Sequence, residues 1–203
     1  MSLPPAAPAM HASPASRSSL RIHLAAIAGT ALCYFLFYTI NEWLFRRTQF
    51  TEGIAWIYLP AGVRLICTLL FAEAGCVGLL IGSLATAATY QLFPQDLVAA
   101  AGYCLISAGA PYLAYRLTLS GMDLGRNLGN LTTTRLMACI LLYALSNPLF
   151  QLIWFVMRGV YPDFWSGLIV MSIGDLLGSL MVVYLCKLLL ALLPRLPLPR
   201  ERS

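Results

Sequence analysis

The chain has 203 residues, 60% of them hydrophobic and 10% charged, with a formal net charge of +5 and a mean hydropathy of +0.78. Soluble domains run at about 45–50% apolar and about 25% charged, and a soluble domain of this size exposes too much surface to hide the excess. A water-soluble enzyme and a disordered chain are therefore excluded, which leaves an all-α polytopic membrane bundle with room for six helices at about 20 residues each.

Residues 1–20 are rich in Pro, Ala and Ser and are read as a disordered cytoplasmic tail. The first span runs from Leu24 to Leu44. Arg17 and Arg21 precede it as they would a signal peptide, but the run is too long for one. It also ends in Arg46-Arg47 rather than at a small-residue cleavage site, so it is read as retained. The remaining spans are expected at Ile54–Phe71, Gly75–Phe93, Leu97–Tyr115, Leu136–Met157 and Phe164–Cys186.

A very short turn joins the second and third spans, and Pro94-Gln95-Asp96 separates the third from the fourth. Residues 116–135 form the one longer loop, with Gly121, Gly125 and Gly129 four apart. Leu124, Leu128 and Leu131 within it have the spacing of a short interfacial helix. Residues 21–193 are thus a six-helix transmembrane domain, and 194–203, rich in Pro and Arg, a disordered cytoplasmic tail. No sequence repeat of about 20–50 residues is visible; an inverted structural repeat stays open.

With six spans, nine Lys and Arg fall on the side of the two termini and of loop 116–135, against Arg46, Arg47 and Arg158 on the other. This bias places both termini in the cytoplasm. Trp43, Trp56, Trp154 and Trp165 all fall at the opposite, outer ends of their spans, where tryptophan prefers the membrane interface.

Two charges remain inside the spans. Arg64 in the second and Asp175 in the sixth both lie roughly 15–17 Å deep at 1.5 Å per residue, near the middle of a ~30 Å core. A lone charge there costs about 2.5–3.5 kcal/mol on insertion scales, so the two are expected to form an ion pair. Such a pair is either a switch or the lining of a ligand path, or else a bridge that fixes helix register.

Asn147-Pro148 is expected to interrupt the fifth span, and Ser107, Gly109 and Pro111 to loosen the fourth. Trp56, Pro60, Gly62, Ser107 and Asn147 are the candidate lining of a central polar cavity. Pro60 and Gly62 would break the second helix and turn its backbone toward that cavity. Gly78 and Gly82, and Gly174 and Gly178, form small-x-x-x-small steps suited to close helix packing within the chain. Glu42, near Arg46 and Arg47, is read as part of a surface ion pair.

Catalytic signatures are absent. The two histidines, His11 and His23, lie in or beside the N-terminal tail, and no G-x-S-x-G, H-E-x-x-H or P-loop occurs. Cys33, Cys67, Cys76, Cys104, Cys139 and Cys186 are spread along the chain with no C-x-x-C pair. They read as small hydrophobes rather than as a metal or disulfide framework. No enzyme activity, metal or cofactor is expected. No basic stretch interleaved with aromatics suggests nucleic acid, so the lipid bilayer is the expected environment.

The segment Trp56–Arg64 resembles the tryptophan–leucine–proline–alanine–glycine signature of the first-class membrane-associated sensor (MASE-type) domain. Gly75–Ser83, GCVGLLIGS, is similar to the glycine-rich helix that follows it there, and Ser172–Val183, SIGDLLGSLMVV, to that family's late glycine–aspartate–x–x–glycine helix. Pro60, Ala61 and Gly62 match the early motif and Gly174, Asp175 and Gly178 the late one. The resemblance implies a sensory module of the bacterial inner membrane, of the kind that precedes a diguanylate cyclase or histidine kinase. No output domain follows the late helix, so a separate partner chain is expected to carry the output. A substrate-binding membrane subunit of a transporter is the alternative, and a purely structural membrane protein the third reading.

Overall fold

A bilayer offers the backbone no water, so apolar stretches of this length pair their amides internally as helices. The computed structural model describes residues 14–51, 53–122 and 132–192. It contains α1 (Pro14–Phe45), a 3-10 turn (Arg46–Thr48), a small hairpin of β1 (Gln49–Thr51) and β2 (Ile54–Ala55), then α2 (Leu59–Thr89), α3 (Leu97–Met122), α4 (Thr133–Met157) and α5 (Phe164–Leu192). All five helices are long and apolar enough to cross a membrane. The protein is a multi-pass helical membrane protein.

Several expected boundaries move. Helix α1 starts at Pro14, inside the stretch read as a tail, because no further Pro or Gly interrupts residues 15–23 and a proline fits a first helical turn. Helix α3 runs to Met122, seven residues into the expected loop. Leu124, Leu128, Leu131, Gly125, Gly129 and the C-terminal tail 194–203 lie outside the described residues. Pro111 and Pro148 sit within α3 and α4, and both helices continue through them. Asn147-Pro148 therefore does not interrupt its span.

The largest correction concerns residues 54–58, expected as the first turns of a helix. They are non-helical instead, a short strand β2 followed by a bend at Trp56, and the helix starts only at Leu59. Pro60 accordingly stands in the first turn rather than breaking a helix. Its missing N–H belongs to a group that has no intrahelical partner there. The other early donors are all met: Tyr58 N–H by Gly174 O at 3.2 Å, Leu59 N–H by the Asn41 side chain at 2.9 Å, and Ala61 N–H by Tyr58 O at 3.1 Å.

The helical parts of the second and third expected spans form the single element α2. That helix is broken at Ala72, whose φ of 46° and ψ of −112° are not helical. Gly75 backs directly onto the Cys67 carbonyl. In a straight helix, residues eight apart are separated by about 12 Å, so the two halves of α2 lie folded against each other. Beyond Thr89, positive φ at Gln91 (51°) and Phe93 (52°) ends the helix short of the expected boundary.

The glycine steps explain the close packing. Gly78 and Gly82 face α1, where an added Cβ would meet Ile27 O at 2.6 Å and Ala31 O at 3.0 Å. Gly174 and Gly178 face something else: the carbonyls of Ala55 and Tyr58, in the non-helical segment. Gly62, in the first turn of α2, packs on Val182 of α5. Without side chains at these points, backbone approaches backbone, the packing mode available when lipid removes the hydrophobic drive between helices. Gly102 of α3 likewise makes room for the Trp154 indole of α4, whose N–H donates to Ala99 O at 3.2 Å.

Aspartates start two of the helices. Asp96 accepts from Ala99 N–H at 2.9 Å ahead of α3, and Asp163 from Ser166 N–H at 3.3 Å ahead of α5, both in the manner of N-caps.

Candidate functional site

The polar interior is assembled from i, i+4 spacings, which place side chains on one helical face. Tyr103 and Ser107 project together from α3, and Tyr143, Asn147 and Gln151 from α4; all five are buried. Arg64 enters from α2, Tyr34 from α1, Tyr58 from the non-helical entry to α2, and Asp175 from α5.

Arg64 is 2% exposed. Its Nη2 lies 2.8 Å from the Tyr34 hydroxyl, 3.0 Å from that of Tyr58 and 2.9 Å from that of Ser107. The hydroxyls continue as a chain, Tyr34 to Tyr58 at 3.3 Å and Tyr58 to Tyr103 at 3.0 Å. The guanidinium carbon also lies 5.3 Å from the Tyr34 ring centre and 5.1 Å from that of Tyr58, within reach of a cation–π attraction. Four elements thus converge on one buried charge.

Asp175, equally buried, has a different partner: its Oδ2 accepts from Asn147 Nδ2 at 2.7 Å. The expected Arg64–Asp175 ion pair is therefore not a direct contact. Equal depth did not suffice, because hydroxyl and amide groups on intervening helices reach each charge first. The contact ion pair Arg158–Asp96, at 2.7 Å, lies at the ends of α3 and α4 instead. There Asp96 is held below the ordinary carboxylate range by the Ala99 N–H and then by Arg158.

Arg64 and Asp175 nevertheless line one cavity, with Tyr58, Tyr103, Asn147 and Gln151. It measures about 10 Å³, room for about one water. Around it are buried polar atoms without a hydrogen bond: Asn147 Oδ1, Gln151 Oε1 and Nε2, and Arg64 Nε. The Tyr143 hydroxyl, one turn from Asn147, is also buried without a hydrogen bond.

Of the residues expected to line a cavity, Asn147 does, and Ser107 binds Arg64 beside it. Trp56 is 42% exposed and packs on Phe50, because its stretch is non-helical and turns it outward. Pro60 and Gly62 are buried in the first turn of α2, Gly62 against Val182 of α5, and neither lines the cavity. Glu42 accepts from Gln49 Nε2 at 2.6 Å rather than from an arginine. Sequence reasoning missed Tyr34, Tyr58, Tyr103, Tyr143 and Gln151. For Gln151 and Tyr143, the signal was the i±4 register with Asn147.

The six cysteines are free thiols, with those of Cys33 and Cys67 in contact. No group of three His, Cys, Asp or Glu is placed to hold a metal among the described residues. No family model, no curated protein and no solved structure matches this chain.

Proposed function

We propose that this protein is a six-span, non-enzymatic sensory module of the bacterial inner membrane. In this reading a cue changes the hydrogen-bond partners of Arg64 and Asp175, and a separate signalling protein reads the change. The single observation that carries it is the central cavity. Two buried opposite charges face it on separate sets of partners, and four buried polar atoms of its lining residues make no hydrogen bond. Such a network has a second arrangement within reach, in which Arg64 turns from the hydroxyls to Asp175. A ligand that favours one arrangement over the other shifts the population.

The MASE-type resemblance supports the same reading. Its early block, Trp56–Arg64, and its late block, Ser172–Val183, meet in space through Tyr58, Gly62, Gly174 and Gly178. The break at Ala72 supports six spans, with both termini and Glu73 cytoplasmic and Asp96 outside. Single-cysteine labelling from each side of sealed vesicles checks this: Glu73→Cys should react from the cytoplasmic side and Asp96→Cys from the other. Reaction of both from one side would restore a five-span count.

A substrate-binding subunit of a transporter is the second reading. It is favoured by the non-helical backbone at 54–58, since transporters use unwound segments beside central sites. A pull-down from native membranes separates the two. Recovery of a histidine kinase or diguanylate cyclase with the wild type, altered by Asp175→Asn at equal membrane level, supports the sensor. Recovery of ATPase subunits replaces it with transport.

A further inference from the structure

The central cavity admits about one water, so it takes no organic cue. A second chamber beside it does have ligand dimensions. It measures about 870 Å³, within the roughly 300–1,000 Å³ range of small-molecule sites. It lies where the end of α1 meets the hairpin.

Its chemistry is amphiphilic. Arg46 and Arg47, adjacent in the 3-10 turn, both line it, and neither guanidinium makes a hydrogen bond or contact ion pair among the described residues. Glu42 lies beside them, but one of its oxygens is taken by Gln49. Glu42 makes no contact ion pair with either arginine among the described residues. The lining also carries the rings of Tyr38 and Tyr90, with centres 5.0 Å apart, and Leu92. Paired guanidiniums suit a carboxylate or phosphate, and the aromatic wall suits an apolar body.

One residue belongs to both chambers. Gly53, at the hairpin turn, lines the large one and the central cavity alike. Its φ of +76° is a conformation that L side chains rarely adopt, and a Cβ there would stand 3.5 Å from the rings of Phe155 and Phe93. The hairpin turn is thus shared by the vestibule and the polar core.

We propose that the vestibule binds a small organic anion with an aromatic or apolar body, its charged group held by Arg46 and Arg47, and that occupancy reaches the core through the Gly53 turn. The transmission step rests on the sensory reading; the binding step does not. The anionic group belongs either to a soluble molecule or to a lipid headgroup at the membrane interface.

The test uses phenyl phosphate as probe and the full chain in phosphatidylcholine nanodiscs, with tryptophan fluorescence as readout because Trp43 also lines the chamber. Saturable quenching is expected. The exposed double variant Arg46→Gln/Arg47→Gln should bind about tenfold or more weakly, having lost charge-assisted hydrogen bonds, with an unchanged melting temperature. Asp175→Asn, outside the chamber, should bind within about twofold of wild type, so loss of signalling in that variant alone would count against the sensory reading and not against the site. Phosphatidylglycerol in the nanodiscs identifies the source: competition with the probe supports a lipid headgroup, and no competition a soluble anion. No saturation by about 10 mM, far into the weak regime, or equal binding by the double variant overturns the proposal.

Discussion

The two arginine–aspartate sets of this protein are opposites. Arg158 and Asp96 touch, with Nε and Nη2 both reaching Oδ2 at 3.1 and 2.7 Å, yet their side chains are 37% and 29% exposed. Arg64 and Asp175 do not touch, yet both are 2% exposed and each is held by neutral groups. The lesson is that contact and importance part company. An exposed pair gains little because water and salt screen it, whereas a buried charge stripped of its partners bears its full desolvation cost.

Four experiments can break or sharpen that contrast. The largest effect is expected from Arg64→Ala, which takes the shared donor from three hydroxyls and leaves Asp175 without a nearby cation. It should cost about 3–5 kcal/mol, read as a sharp fall in folded protein on titration with a denaturing detergent. Next comes the cycle with Asp175→Asn. If the charges couple across the cavity, the double variant should recover roughly 0.5–3 kcal/mol relative to the sum of the single changes; strict additivity would mean that the two groups act alone. Ser107→Ala removes one of three acceptors around Arg64 and should cost only about 0.6–1.7 kcal/mol, the scale of hydrogen bonds between membrane helices.

The smallest effect is expected at the exposed pair, where Asp96→Asn should be hard to distinguish from wild type near neutral pH. Its pH dependence has a definite sign. The folded state lowers the Asp96 pKa, so its contribution is complete above the unfolded value of about 3.9 and fades as pH falls through the lower folded value. The small difference in melting midpoint between wild type and Asp96→Asn should therefore stay constant between about pH 5 and 8 and vanish as pH falls through the folded value, the variant showing the shallower acid decline. A difference that grows toward alkaline pH would contradict the assignment.

Much of the scaffold was legible in sequence. Hydropathy marked every membrane-length helix, and the turn expected between the second and third spans falls where Ala72 breaks α2. The depth estimate brought Arg64 and Asp175 to one cavity. It could not say who stands between them, because depth is one coordinate and pairing needs three. The tyrosines escaped notice because a tyrosine in an apolar run reads as bulk, while its hydroxyl shows only when another element presents a charge to it. Residues 54–58 escaped for a related reason. Ile54-Ala55-Trp56-Ile57-Tyr58 is apolar enough for a helix, and its non-helical form depends on Gly174 and Gly178, more than a hundred residues later.

That dependence has a consequence for biogenesis. The Asn41 side chain, which holds Leu59 N–H, precedes it by eighteen residues, so the start of α2 can be set as soon as α2 follows α1 into the bilayer. The carbonyl that receives Tyr58 N–H belongs to Gly174 of α5, synthesised more than a hundred residues later. Until α5 arrives, Tyr58 N–H lacks the acceptor it has in the finished fold. Helix α5 therefore acts as a clasp on the entry to α2, and a nascent chain stalled after α4 would lack the acceptor that holds Tyr58 N–H.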